Sequence, residues 1–136
     1  MSLLKRLMKR SRGGPFPAQK KALGPHGEDV AVTFLQKQGI EILQRNYRCP
    51  RGEIDVVARE GSTLVFVEVK TATTGEFGPP EGWVDSRKQR QVGRIAAAYL
   101  QEHRVADTDC RFDVVTVMGR QDPSINHIRN AFWIET

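Results

Sequence analysis

Val30, Ala31, Phe34 and Leu35 fall on one side of a 3.6-residue period, and Gly39 stands where such a helix would stop, which predicts a first helix over 26–38. The period then shortens to two. Residues 41–47 read as a strand, 48–52 as a turn around Pro50, and 53–59 and 63–70 as two further strands. Val92, Ile95, Ala96, Tyr99 and Leu100 restore the helical period behind Ser86 and Gln89, whose spacing fits a capping box, so a second helix is expected over 86–102. Residues 110–118 alternate as a strand with Phe112 and Val114 inward, and 125–134 form a weaker last strand. The order is α-β-β-β-α-β-β. Between strand three and helix two lies a long loop, 71–84, with three glycines and two prolines; loops of that length in a compact domain often serve function.

The two central strands are joined by Gly61-Ser62, a two-residue hairpin signal in which the first position must accept positive φ. That turn predicts the register: Asp55 opposite Glu68 and Glu53 opposite Lys70 on one face, with Ile54, Val56, Ala58, Val65, Val67 and Val69 on the other. Two carboxylates facing each other across a hairpin repel, and a divalent cation between them would relieve it. Hard oxygen ligands suit Mg²⁺ or Mn²⁺, and Lys70 beside them could orient an attacking water or neutralise a phosphate. In the plainer alternative Lys70 pairs with Glu53 while Asp55 and Glu68 point to solvent. Against it, Val57, Leu64 and Phe66 share the charged face, so that face should be covered, and covered carboxylates need partners.

Composition narrows the class. With 136 residues, 39% hydrophobic and 27% charged, the chain suits one globular domain, placed at 23–136 behind a basic tail at 1–22. The net charge of +5 is unevenly spread: residues 1–21 hold seven basic side chains and no acid, leaving 22–136 with 14 basic against 16 acidic groups, a net of −2. Nucleic-acid affinity must therefore come from the tail or a local cluster. Arg87, Arg90 and Arg94, with Lys88 adjacent, supply such a stripe on helix two, where a DNA backbone could lie or solvent alone could face it. Phe77 and Trp83 in the long loop could stack on bases or anchor the loop to the core. Cys49 and Cys110 lack zinc spacing, His26, His103 and His127 lack ligand spacing, and no apolar run reaches membrane-spanning length, so a cytoplasmic protein without membrane contact is expected.

Gly27-Glu28, Asn46-Tyr47-Arg48, Gly52-Glu53-Ile54-Asp55, Phe66-Val67-Glu68-Val69-Lys70, Phe77-Gly78, and Lys88 ahead of Ala97-Ala98-Tyr99-Leu100 resemble the YraN-like family of small bacterial proteins over about residues 24–118. That family is related to archaeal Holliday junction resolvases of the PD-(D/E)xK nuclease superfamily. The resemblance implies an α/β (α+β) restriction-endonuclease-like fold with an αβββαβ core, a mixed sheet flanked by two helices. It implies a metal-dependent DNA endonuclease, with branched or damaged DNA as candidate substrates, Asp55 and Glu68 as metal ligands, Lys70 as the catalytic lysine and Glu28 completing the acidic cluster. Ala72 stands where similar proteins often carry Arg, one phosphate contact fewer. A four-way junction as substrate would call for a homodimer. The alternative is a non-catalytic nucleic-acid-binding or adaptor protein that keeps the fold.

Overall fold

The structure is a computed structural model that describes residues 24–75, 77–78 and 80–135; the expected basic tail lies outside the described residues. Helix α1 spans Gly24–Lys37, strands β1 to β3 span Glu41–Cys49, Gly52–Glu60 and Thr63–Ala72, helix α2 spans Ser86–His103, and β4 and β5 span Cys110–Met118 and Ser124–Ile134. A 3₁₀ turn, Pro80–Trp83, breaks the long loop before α2. The strands lie in chain order in one sheet, with β3 and β4 parallel and every other pair antiparallel. A parallel neighbour cannot be reached by a tight turn, so α2 serves as the crossover. The fold is α+β and restriction-endonuclease-like, as expected.

Each helix covers one face of the sheet. Ala31, Val32 and Leu35 of α1 pack on Val56, Ala58, Val65, Val67, Val69, Val115 and Val117. Val92, Ile95, Ala96 and Tyr99 of α2 pack on Leu43, Tyr47, Val57, Leu64, Phe66, Phe112 and Val114. Both faces are therefore core, and the face that carries the charged residues is covered by α2. Tyr99 meets Tyr47 and Phe66 edge-on, with ring centroids 5.2 and 5.8 Å apart, and such pairs add about 0.5–1.5 kcal/mol beyond burial.

Two local expectations need correction. Ile54, placed by strict alternation with Val56 and Ala58, lies instead in the α2-side core. Its partner on β1 is Tyr47, while Val56 pairs with Arg45, and between those two β1 residues Asn46 adopts φ 55°. The ladder to β3 ends at the Val56–Val67 pair, so beyond it no β3 partner holds Ile54 to the period of two. The cap of α2 is Asp85, not Ser86: the Asp85 carboxylate accepts the Lys88 amide at 2.9 Å. A carboxylate there satisfies an orphan N–H and also faces the positive end of the helix dipole.

Candidate active site

The Gly61 turn, at φ 61°, fixes the β2–β3 register as read: Glu60 faces Thr63, and the pairing runs to Val56 opposite Val67. There it stops. Asp55 and Glu68 are not ladder partners, nor are Glu53 and Lys70, because Asp55 Oδ2 accepts the buried Val69 amide at 2.7 Å. A side chain has taken the place of a strand carbonyl. β2 stays on β1 as far as Gly52, and β3 stays on β4 as far as Ala72, so a cleft opens between the parted strands.

The cleft has a volume of about 410 Å³ and is lined by residues 52–55 of β2, Glu68 of β3, and Lys88 and Gln91 of α2. Gly52 permits this approach. Its φ is 141°, and a Cβ there would stand 3.0 Å from Gln91 Nε2 and 3.2 Å from Ile95 Cδ1.

Glu68 is the electrostatic centre. Its Oε1 lies 2.5 Å from Lys88 Nζ and its Oε2 lies 3.1 Å from Lys70 Nζ. Burial pushes the carboxyl up, but the hydrogen bond and charge of Lys88, and then those of Lys70, outweigh it and hold Glu68 below the ordinary glutamate value. The repulsion that called for a cation is thus answered within the protein by two ammonium groups. Lys70 also lies 5.3 Å from the centroid of the Trp83 ring, which is held by Nε1 donating to Phe77 O at 3.2 Å.

Asp55, Glu68 and Lys88 line one cleft, and Lys70 lies beside Glu68. Glu28 lies 3.7 Å from Arg45, and among the described residues no group of three or more His, Cys, Asp or Glu could hold a metal. Next to Glu28, Gly27 is buried against Thr71 of β3, and a Cβ on it would stand 2.2 Å from Thr71 Cγ2. On α2, Arg87, Arg90 and Arg94 are exposed, whereas Lys88 turns to Glu68.

Three features escaped sequence reading. Gln91 lines the cleft, and its spacing of three from Lys88 already put both on one helix face. Trp133 is exposed on β5, near the end of a weak strand pattern. Asp113 is fully buried, with Oδ1 accepting Arg111 Nε at 3.0 Å and the Asn130 amide at 2.8 Å, and Oδ2 2.8 Å from His127 Nε2. Its signal was an acid flanked by the inward Phe112 and Val114.

A family model described as "Uncharacterised protein family UPF0102" matches residues 27–117. The chain belongs to that family. It is 51% identical over 113 residues to a UPF0102 protein of Geobacter metallireducens, covering 82% of this chain and 93% of the relative. A UPF0102 protein of Geobacter sulfurreducens is 46% identical over 114 residues, covering 82% and 89%. One from Caldicellulosiruptor saccharolyticus is 46% identical over 116 residues, covering 83% and 98%. The UPF0102 match takes in every residue of the cleft. No helix among the described residues is long and apolar enough to cross a membrane.

Proposed function

We propose that this UPF0102 protein is a Mg²⁺- or Mn²⁺-dependent endonuclease that hydrolyses phosphodiester bonds in DNA. The observation that carries this reading is the cleft where β2 and β3 part, with Asp55, Glu68 and Lys88 in its lining and Lys70 at 3.1 Å from Glu68. Two carboxylates lining one cleft fit a hard divalent ion, which commonly keeps several waters and takes only one or two carboxylates from the protein. When bound, such an ion would polarise a phosphoryl oxygen and acidify a water.

The chain's own residues supply the rest. Asp55 and Glu68 would hold the ion. Lys70, steadied between Glu68 and Trp83, would orient the attacking water or neutralise a phosphate oxygen. Lys88 would release Glu68 to the ion and turn to the DNA backbone, joining the exposed Arg87, Arg90 and Arg94.

A second reading, a non-catalytic nucleic-acid adaptor, draws on the same ion pairs, because Glu68 already has both oxygens matched by lysines. One experiment separates the two. Linear, nicked, flapped and four-way DNA are incubated with the protein in Mn²⁺ or in chelator, and calorimetry follows Mg²⁺ and Mn²⁺ binding. The endonuclease reading expects Mn²⁺-dependent cleavage that Lys70→Ala abolishes while metal binding persists. Absence of metal binding at millimolar concentration overturns it in favour of the adaptor.

A further inference from the structure

Beside the cleft lies a second concavity, of about 530 Å³, between the long loop and the ends of β4 and β5. That volume falls in the range of about 300–1,000 Å³ usual for small-ligand sites. Phe77, Trp83, Met118 and Ile128 give it apolar and aromatic walls, and Thr116 and Asn126 give it a hydroxyl and an amide. No Asp, Glu, Lys or Arg lines it among the described residues, and His127, which does, has its Nε2 engaged 2.8 Å from the Asp113 carboxylate. Such a wall suits the faces and polar edges of an uncharged heteroaromatic ring and not a phosphate, which would seek cations.

Its position ties it to the cleft. Lys70, Thr116 and Asn126 stand in one register row across β3, β4 and β5, Lys70 opposite Thr116 and Thr116 opposite Asn126. At about 4.8 Å per strand the row ends roughly 10 Å from Lys70, close enough for a nucleotide adjoining a phosphate held there. Trp83 belongs to both places: its ring carries the Lys70 ammonium and walls the second pocket. Its orientation is locked by the bond to Phe77 O, by the edge-on Phe77 ring with centroids 6.3 Å apart, and by packing on the α2-side core.

We infer that this pocket takes an unpaired nucleobase next to the scissile phosphate, so that the substrate is a strand with bases free of their partners, as in single-stranded, flapped or branched DNA. The inference rests on the phosphodiesterase reading for its choice of ligand. A base paired within a duplex has its faces stacked on its neighbours, and only an unpaired one can enter without the cost of extrusion.

The test uses the full chain in chelator, where no cleavage is needed, with 2-aminopurine placed in a single strand, in the flap of a flapped duplex, or within a paired duplex. Stacking in the pocket should quench the single-strand and flap labels and spare the paired one. Base–aromatic stacking of about 1–3 kcal/mol predicts that Trp83→Leu weakens the quenched complex about tenfold or more. Because Trp83 also packs on the core, the exposed Asn126→Ala serves as the second variant, with an expected loss of several-fold. Trp133→Leu should change nothing. The inference is overturned by equal quenching of paired and unpaired labels, by a quench that both pocket variants retain, by one lost only in Trp133→Leu, or by equal affinity for the free 2-aminopurine deoxynucleotide. Quenching without any Mn²⁺-dependent cleavage would uphold the pocket and remove the endonuclease; cleavage without quenching would do the reverse.

Discussion

Asp55 Oδ2 accepts the backbone amide of Val69 at 2.7 Å, and that one bond both ends the β2–β3 ladder and holds the two strands at the mouth of the cleft. Val69 is fully buried, so its N–H has no recourse to water once the carboxylate is gone. Asp55→Ala should therefore lower stability by about 1–3 kcal/mol, the penalty for a buried donor left unmade, whereas Asp55→Asn, which keeps an acceptor oxygen, should cost less. Urea unfolding of the two variants checks the difference; equal losses would mean that the charge, not the acceptor, matters there.

Lys88 and Lys70 hold the Glu68 carboxyl below its ordinary value of 4.5 against the upward push of burial. A lowered folded-state value means that the stability contributed by Glu68 is complete above 4.5 and fades as pH falls through the lowered value. Lys88→Met should move the Glu68 titration midpoint upward in carbon-detected carboxyl NMR. The stability gap between wild type and variant should be widest above 4.5 and close in acid. An unmoved midpoint would show that Lys88 is not its partner.

Gly27 sets how closely α1 approaches β3. A methyl group there would stand 2.2 Å from Thr71 Cγ2, so Gly27→Ala must push the helix or the threonine aside, at about 1–3 kcal/mol. Thr71→Ser removes the obstructing methyl. The double variant should recover most of the loss, a coupling that a double-mutant cycle measures directly.

Asp113 lies at the centre of a buried polar network away from the cleft, with Arg111 also bonded to Glu60 at 2.7 Å. Burial pushes its carboxyl up, but His127, Arg111 and the Asn130 amide together hold it below the ordinary aspartate value of 3.8. Its share of stability is complete above 3.8 and is lost as pH falls through the lowered value. Removing it leaves the Arg111 charge poorly matched, so Asp113→Ala should cost about 3–5 kcal/mol at neutral pH. Denaturant titrations at neutral pH and near pH 3 should show that gap narrowing in acid.

The seven basic side chains of residues 1–21 contrast with a net of −2 over the rest of the chain. If they engage about five phosphates, deleting them should reduce the steepness of log DNA affinity against log salt by about 4.5. The slope that remains would come from Arg87, Lys88, Arg90 and Arg94. An unchanged slope would assign binding to the domain alone.

Local pattern by itself determined much of this molecule. The periods of 3.6 and 2 located both helices and all five strands, since they depend only on which side of an element a neighbouring residue occupies. The Gly61-Ser62 turn determined a register that holds from Glu60 to Val56, and with it the approach of Asp55 and Glu68 to one cleft. Tertiary structure decided what those residues do once there. Whether Asp55 faces a carboxylate or captures a backbone amide depends on where β2 leaves β3, which happens just past the Val56–Val67 pair. Whether Glu68 meets a metal or an ammonium first depends on where the crossover helix sets Lys88, and the position of Glu28 depends on how α1 seats Gly27 on Thr71. Alternation assigns a side chain to a face, but a hydrogen bond or ion pair between residues far apart in the chain is decided by ångström-scale packing of separate elements, which no period records.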